Sequence, residues 1–124
     1  MAVPDKRKTF DRERQITPIE HIVADYEQPS RERDYEAFLD FARYVSCRTF
    51  KVRPESEYRE LGKHLHDIDY SIHFHVWDEP AFRGFLNHLS ERFDSWSMQV
   101  VDHLPTADEE FIYVLEKSAL KRAK

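Results

Sequence analysis

A chain of 124 residues with 19 basic and 24 acidic side chains, net charge −5, is the size of one ordinary domain and has the wrong sign for general nucleic-acid binding. Nine Phe, six Tyr and two Trp within a 40% hydrophobic composition supply a core and exclude a disordered chain. No apolar run approaches the ~20 residues of a membrane span, residues 1–11 lack a signal-peptide stretch, and the single Cys47 allows no intrachain disulfide, so a cytoplasmic protein without a membrane partner is expected.

Ala2-Val3-Pro4 is a short apolar stub leading into a charge-dense, aperiodic stretch from Asp5 to Arg14. Thr17-Pro18-Ile19-Glu20 predicts a helix start, with threonine as cap and proline at the first helical position. Ile19, Ile22, Val23 and Tyr26 follow at helical spacing, and Pro29 closes the segment. A second helix is predicted after Ser30, with Tyr35, Phe38, Leu39, Ala42 and Val45 on its apolar face, broken across Cys47–Pro54. Ser56 is expected to cap a third, carrying Tyr58, Leu61, Leu65 and Ile68 and weakened by Gly62. From Asp69 the period changes, and Ile72, Phe74 and Val76 alternate with His73, His75 and Trp77 as in a short extended segment. Asp78 caps a fourth helix with the face Phe82, Phe85, Leu86, Leu89 and Phe93. The chain closes on a predicted hairpin, Met98–Leu104 and Phe111–Glu116, whose second strand is apolar on both faces and should lie in a sheet interior, covered on both sides. Residues 118–124 read as a basic tail to a single domain spanning 1–117.

Glycine usage narrows the function. Gly62 and Gly84 are the only glycines, so no glycine-rich phosphate-cradling loop of either common pattern is present. No G-x-S-x-G elbow supports a serine hydrolase, and no local signature activates Cys47. His73 and His75 would share a face of an extended strand, with Asp67 or Asp69 nearby as metal-ligand filler. Without a third and fourth ligand at closed-site spacing, no stoichiometric metal is expected.

The runs Val3-Pro4-Asp5-Lys6-Arg7-Lys8-Thr9-Phe10-Asp11, Thr17-Pro18-Ile19-Glu20-His21 and Asp25-Tyr26, followed by His73-Phe74-His75-Val76-Trp77, resemble the second half of a group of class I S-adenosylmethionine-dependent methyltransferases. The resemblance covers nearly the whole chain up to Glu116. It implies an α/β, partial Rossmann-like fold of about four helices on a small sheet ending in an antiparallel strand pair. The stub would be the fifth strand, and the hairpin the sixth and seventh. The first four strands and the cofactor loop would be absent, so no cofactor-binding residue is assigned and S-adenosylmethionine is not expected to bind this chain alone.

The resemblance further implies a substrate-side role. His21, His73 and His75 are the candidate catalytic bases or orienting groups, because neutral imidazole titrates near physiological pH. Asp5, Arg7 and Arg12 are the candidate substrate-binding residues, since they follow the fifth strand at its carboxyl end. An unpaired strand edge implies a homodimer or a separate cofactor-binding half as partner. Two other classes stay open: a non-catalytic interaction domain derived from that fold, and a small metal-binding protein built on the histidine cluster.

Overall fold

Phe111, Tyr113 and Leu115 alternate along one strand face and so demand a partner layer, which the helix after Asp78 supplies. The computed structural model of the protein describes residues 1–92 and 96–119. Its elements in chain order are β1 (Ala2–Pro4), α1 (Ile19–Glu27), α2 (Arg31–Phe41), α3 (Tyr58–Asp67), α4 (Glu79–Arg92), β2 (Trp96–Pro105) and β3 (Glu110–Ala119). The architecture is mixed α/β, with four α-helices and a three-stranded antiparallel sheet among the described residues. No helix of the described chain is long and apolar enough to cross a membrane. The chain divides into two compact units, a sheet unit (1–8 and 77–124) and a helical unit (9–76).

In the sheet unit the strand order is β1-β3-β2, so β3 is central as expected. Val3 pairs with Phe111, and Met1 continues the ladder by exchanging backbone bonds with Tyr113. The stub therefore reaches only the first part of β3. Asp78 caps α4 by accepting from the Ala81 N–H at 2.9 Å, and Phe82 and Leu86 of that helix bury against Val3, Phe111 and Tyr113. The Tyr113 hydroxyl donates to the Glu79 carboxylate. Burial, reinforced by that bond, pushes the phenol pKa up to about 12.

The expectation that β3 is covered on both faces is not met. Phe111 and Tyr113 are buried, but Val114 on the opposite face is 45% exposed and Ile112 is only partly covered. Within this unit a single helix packs on one side of the sheet, so alternation in β3 follows a half-covered strand despite its continuous apolar sequence. The strand also runs three residues past the predicted end at Glu116, through Ser118 and Ala119. Phe93, expected on the fourth helix, and residues 120–124 of the basic tail lie outside the described residues.

In the helical unit Ser30 caps α2, accepting from the Arg33 N–H at 3.1 Å. The helix continues past Phe41 in π-helical form over Ala42–Thr49, and the break falls inside the predicted Cys47–Pro54 segment, at Lys51, whose φ of 53° is left-handed. Cys47 is buried there, and burial, with smaller effects from Glu55 and Glu57, raises its thiol pKa. The core joins Phe38, Phe41, Ala42 and Val45 to Leu61 and Leu65 of α3. Ser56 does not cap α3; it sits in a 3-10 turn, Glu55–Glu57, that leads into the helix without a side-chain cap.

Gly62 has a packing role that helix propensity alone conceals. A Cβ at this position would stand 2.9 Å from Leu39 Cδ2 and 3.1 Å from Leu39 Cα. Leu39 Cδ2 can move, but the backbone of α2 cannot move cheaply. Gly62→Ala gains about 1 kcal/mol of helix propensity against an overpacking cost of about 1–3 kcal/mol. The expected outcome is a net loss of about 1 kcal/mol, read as a lower midpoint in urea denaturation; a stabilised variant would show that the helices separate freely.

Candidate functional site

The helical unit assembles most of the candidate residues by short local devices. On α1, His21 and Asp25 are one turn apart and share a face. Thr17 was expected to cap this helix, but Pro18 occupies the cap position and makes no side-chain bond. Thr17 instead clasps the segment before α4: its hydroxyl accepts from the Val76 N–H at 2.8 Å, and its own N–H donates to the Val76 carbonyl at 3.0 Å. This clasp sets His75 beside α1. The Ser30 cap, by fixing the first turn of α2, sets Arg33 against Asp25.

Two histidine–carboxylate arrangements result. In the first, His73 Nδ1 lies 2.7 Å from Asp11 Oδ2, and the ring stacks on Phe10 at a centroid distance of 5.1 Å. The Asp11 side chain is 3% exposed, and its other oxygen accepts from Arg14 Nη1 at 2.9 Å. An ionised carboxylate only accepts, so this contact has the Nδ1 N–H donating to Asp11 and leaves Nε2 outside that bond. In the second, His21 Nε2 and His75 Nε2 both approach Asp25 Oδ2, at 3.1 and 3.0 Å, while Arg33 Nε donates to Oδ1 at 2.7 Å. Burial works to raise the Asp25 pKa, but the bonds from His75 and Arg33 outweigh it and hold the carboxyl below its ordinary value. A cleft of about 300 Å³ opens here, lined among others by His21, Asp25, Ser30, Arg33, Phe74 and His75.

The predicted strand around His73 and His75 does not form. Residues 71–78 are irregular, with a bend at Phe74 and His75. The two imidazoles engage different carboxylates, so they do not act as a same-face pair. Asp67 and Asp69 are no part of the cluster either: Asp67 pairs with Lys63 at 3.0 Å and Asp69 with Arg31 at 3.2 Å.

The expected substrate-binding residues do not gather into one site. Asp5 and Arg7 belong to the sheet unit and pair with each other. Asp5 is 1% exposed, and its two oxygens accept from the Arg7 backbone N–H, Nε and Nη2 at 3.0, 3.0 and 2.8 Å. The Arg7 bonds hold the Asp5 carboxyl below its ordinary value despite burial. Asp5 thus organises the turn after β1. Arg12 is an exposed residue of the helical unit and lines neither the cleft above nor the shallower one beside it at Thr17, His21 and Asp40.

Sequence reasoning missed Asp25, Asp11, Arg14 and Arg33 as parts of these arrangements. Only one left a readable signal, the four-residue spacing of His21 and Asp25 on a predicted helix. Comparison with protein-family models, with curated proteins and with solved structures found no significant match to this chain.

Proposed function

We propose that the chain is the substrate-side, C-terminal half of an S-adenosylmethionine-dependent methyltransferase. The observation that carries this reading is the strand order β1-β3-β2, antiparallel throughout and with α4 leading into the hairpin. This is the order expected of the fifth, seventh and sixth strands of that fold. The residues present do not fit the cofactor itself. No glycine-rich loop exists in the sequence, and Asp5, the acid at the end of β1, is 1% exposed and turned to Arg7 rather than to a ribose site. The cofactor then belongs to a separate half, which adds its strands along the outer edge of β1.

What this chain contributes is the acceptor side. His73, held by Asp11 and stacked on Phe10, presents Nε2 as the base that takes a proton from an acceptor oxygen or nitrogen. His21, His75 and Arg33 orient the acceptor from the cleft. A non-catalytic interaction domain has the same strand order but no need for a basic Nε2 fixed by a buried carboxylate.

The test is calorimetric titration with S-adenosylmethionine of two products: this chain alone, and its complex with the cofactor-binding half, captured from the native source through this chain. Micromolar binding by the complex, with no measurable heat from the chain alone, is the expected outcome. Binding by neither product, or micromolar binding by the chain alone, overturns the reading.

A further inference from the structure

Three ligand atoms with metal-binding chemistry converge in the cleft of the helical unit. His21 Nε2, Asp25 Oδ2 and His75 Nε2 all lie within 4.8 Å of one another. Both imidazole nitrogens approach the same carboxylate oxygen, at 3.1 and 3.0 Å. Ligands bonded to one small divalent ion at 2.0–2.1 Å sit roughly 3.3 Å apart in tetrahedral geometry and about 3 Å apart in octahedral geometry. The two observed edges already fall near those values, and the third, between the two imidazole nitrogens, has to close on them from within 4.8 Å.

We infer that His21, Asp25 and His75 form a binding site for a divalent first-row transition-metal ion of the zinc or ferrous class. Two imidazoles and one carboxylate suit such ions better than Ca²⁺ or Mg²⁺, which prefer all-oxygen shells. Three protein ligands leave coordination positions open, and they face the cleft of about 300 Å³, which has room for water or a small oxygen ligand. Arg33 on Oδ1 fixes the carboxylate so that Oδ2 points at the two rings, as hydrogen-bonded outer groups do around bound metals. Asp34, which also lines the cleft, adds a second carboxylate there. All of these residues belong to the helical unit, so the site stands whether or not the chain is half of a methyltransferase.

The experiment is titration of the full chain, purified without a histidine tag and stripped with chelator, using Zn²⁺ by calorimetry and Co²⁺ by visible absorption. The expected result is one equivalent bound with micromolar or tighter affinity and a Co²⁺ ligand-field band of four- or five-coordinate geometry. Asp25→Asn and His75→Ala should each weaken Zn²⁺ binding by about 100-fold, and His64→Ala, which removes an exposed histidine of α3, should leave it unchanged. Circular dichroism checks that each variant is folded. If His75→Ala fails to fold, His21→Ala carries the same comparison, because its ring is 37% exposed and its loss removes little packing. Millimolar or substoichiometric binding by the wild type overturns the inference, and so does binding that survives His21→Ala or is lost equally with His64→Ala.

Discussion

Arg14→Leu should cost the helical unit about 3–5 kcal/mol, a large share of the 5–15 kcal/mol typical of a whole domain. The Arg14 guanidinium is 2% exposed and satisfies three acceptors at once. Nη1 donates to Asp11 Oδ1 at 2.9 Å and to the His73 carbonyl at 2.8 Å, and Nε donates to Asp40 Oδ2 at 2.6 Å. Its Cζ also lies 5.9 Å from the Phe41 ring centroid. Leucine fills part of the volume but leaves the Asp11 carboxylate buried without its cation, and an uncompensated buried charge is far costlier than the pair is favourable. Arg14→Lys retains the charge but loses the fork that reaches Asp11 and Asp40 together, so an intermediate loss is expected. Urea denaturation at constant m-value is the measurement. A loss under about 1 kcal/mol for Arg14→Leu would mean that water reaches Asp11.

Phe82→Ala should cost the sheet unit about 3–5 kcal/mol, as deletion of a buried aromatic ring does when its surroundings cannot collapse. The ring packs edge-on against Trp77 at 5.1 Å and lies 5.9 Å from each of Phe85, Phe111 and Tyr113. It is the centre of the layer between α4 and the sheet. Val114→Ala on the opposite sheet face is the contrast: this side chain is 45% exposed, and the loss should be well under 1 kcal/mol. Thermal melts of the two variants, followed by far-ultraviolet circular dichroism, give the comparison. Equal losses would mean that both faces of β3 carry equal weight, against the one-sided packing described above.

Much of the fold was legible because its signals are local. Asp78 caps its helix as expected and α2 begins after Ser30 as expected, since a cap is a contact across three residues that sequence displays directly. The central place of β3 was legible from its continuous apolar run, although the same run overstated its cover. Thr17 shows where local reading fails. A cap and a clasp use the same hydroxyl, and only the distant Val76 N–H decides between them. The alternation through His73 and His75 failed for a related reason: a strand pattern becomes a strand only if a neighbour offers a ladder, and here the Val76 N–H is taken by a threonine side chain.

The candidate site was half legible. His21, His73 and His75 each stand beside a carboxylate, but the pairing of His73 with Asp11 and of His21 and His75 with Asp25 needs the folded chain. Arg14 was hidden altogether. It lies two residues from Arg12 in an aperiodic charged stretch, yet one is buried and the other exposed. Nothing in composition or spacing tells the two apart, because burial of an arginine depends on acceptors that come from α2 and from the His73 backbone.

The lone buried thiol in the π-helical turn makes the helical unit its own chronometer. Cys47 is 5% exposed and has a raised pKa, so alkylating reagents meet a reactive thiolate only when the turn around it opens. The chain holds no other cysteine, so a single labelling rate reads the opening equilibrium of that unit against the free thiol's intrinsic reactivity. Breathing of α2 and α3 is thereby separable from events in the sheet: faster labelling in a sheet-unit variant would reveal cooperativity between the two units, and an unchanged rate would define them as independent foldons.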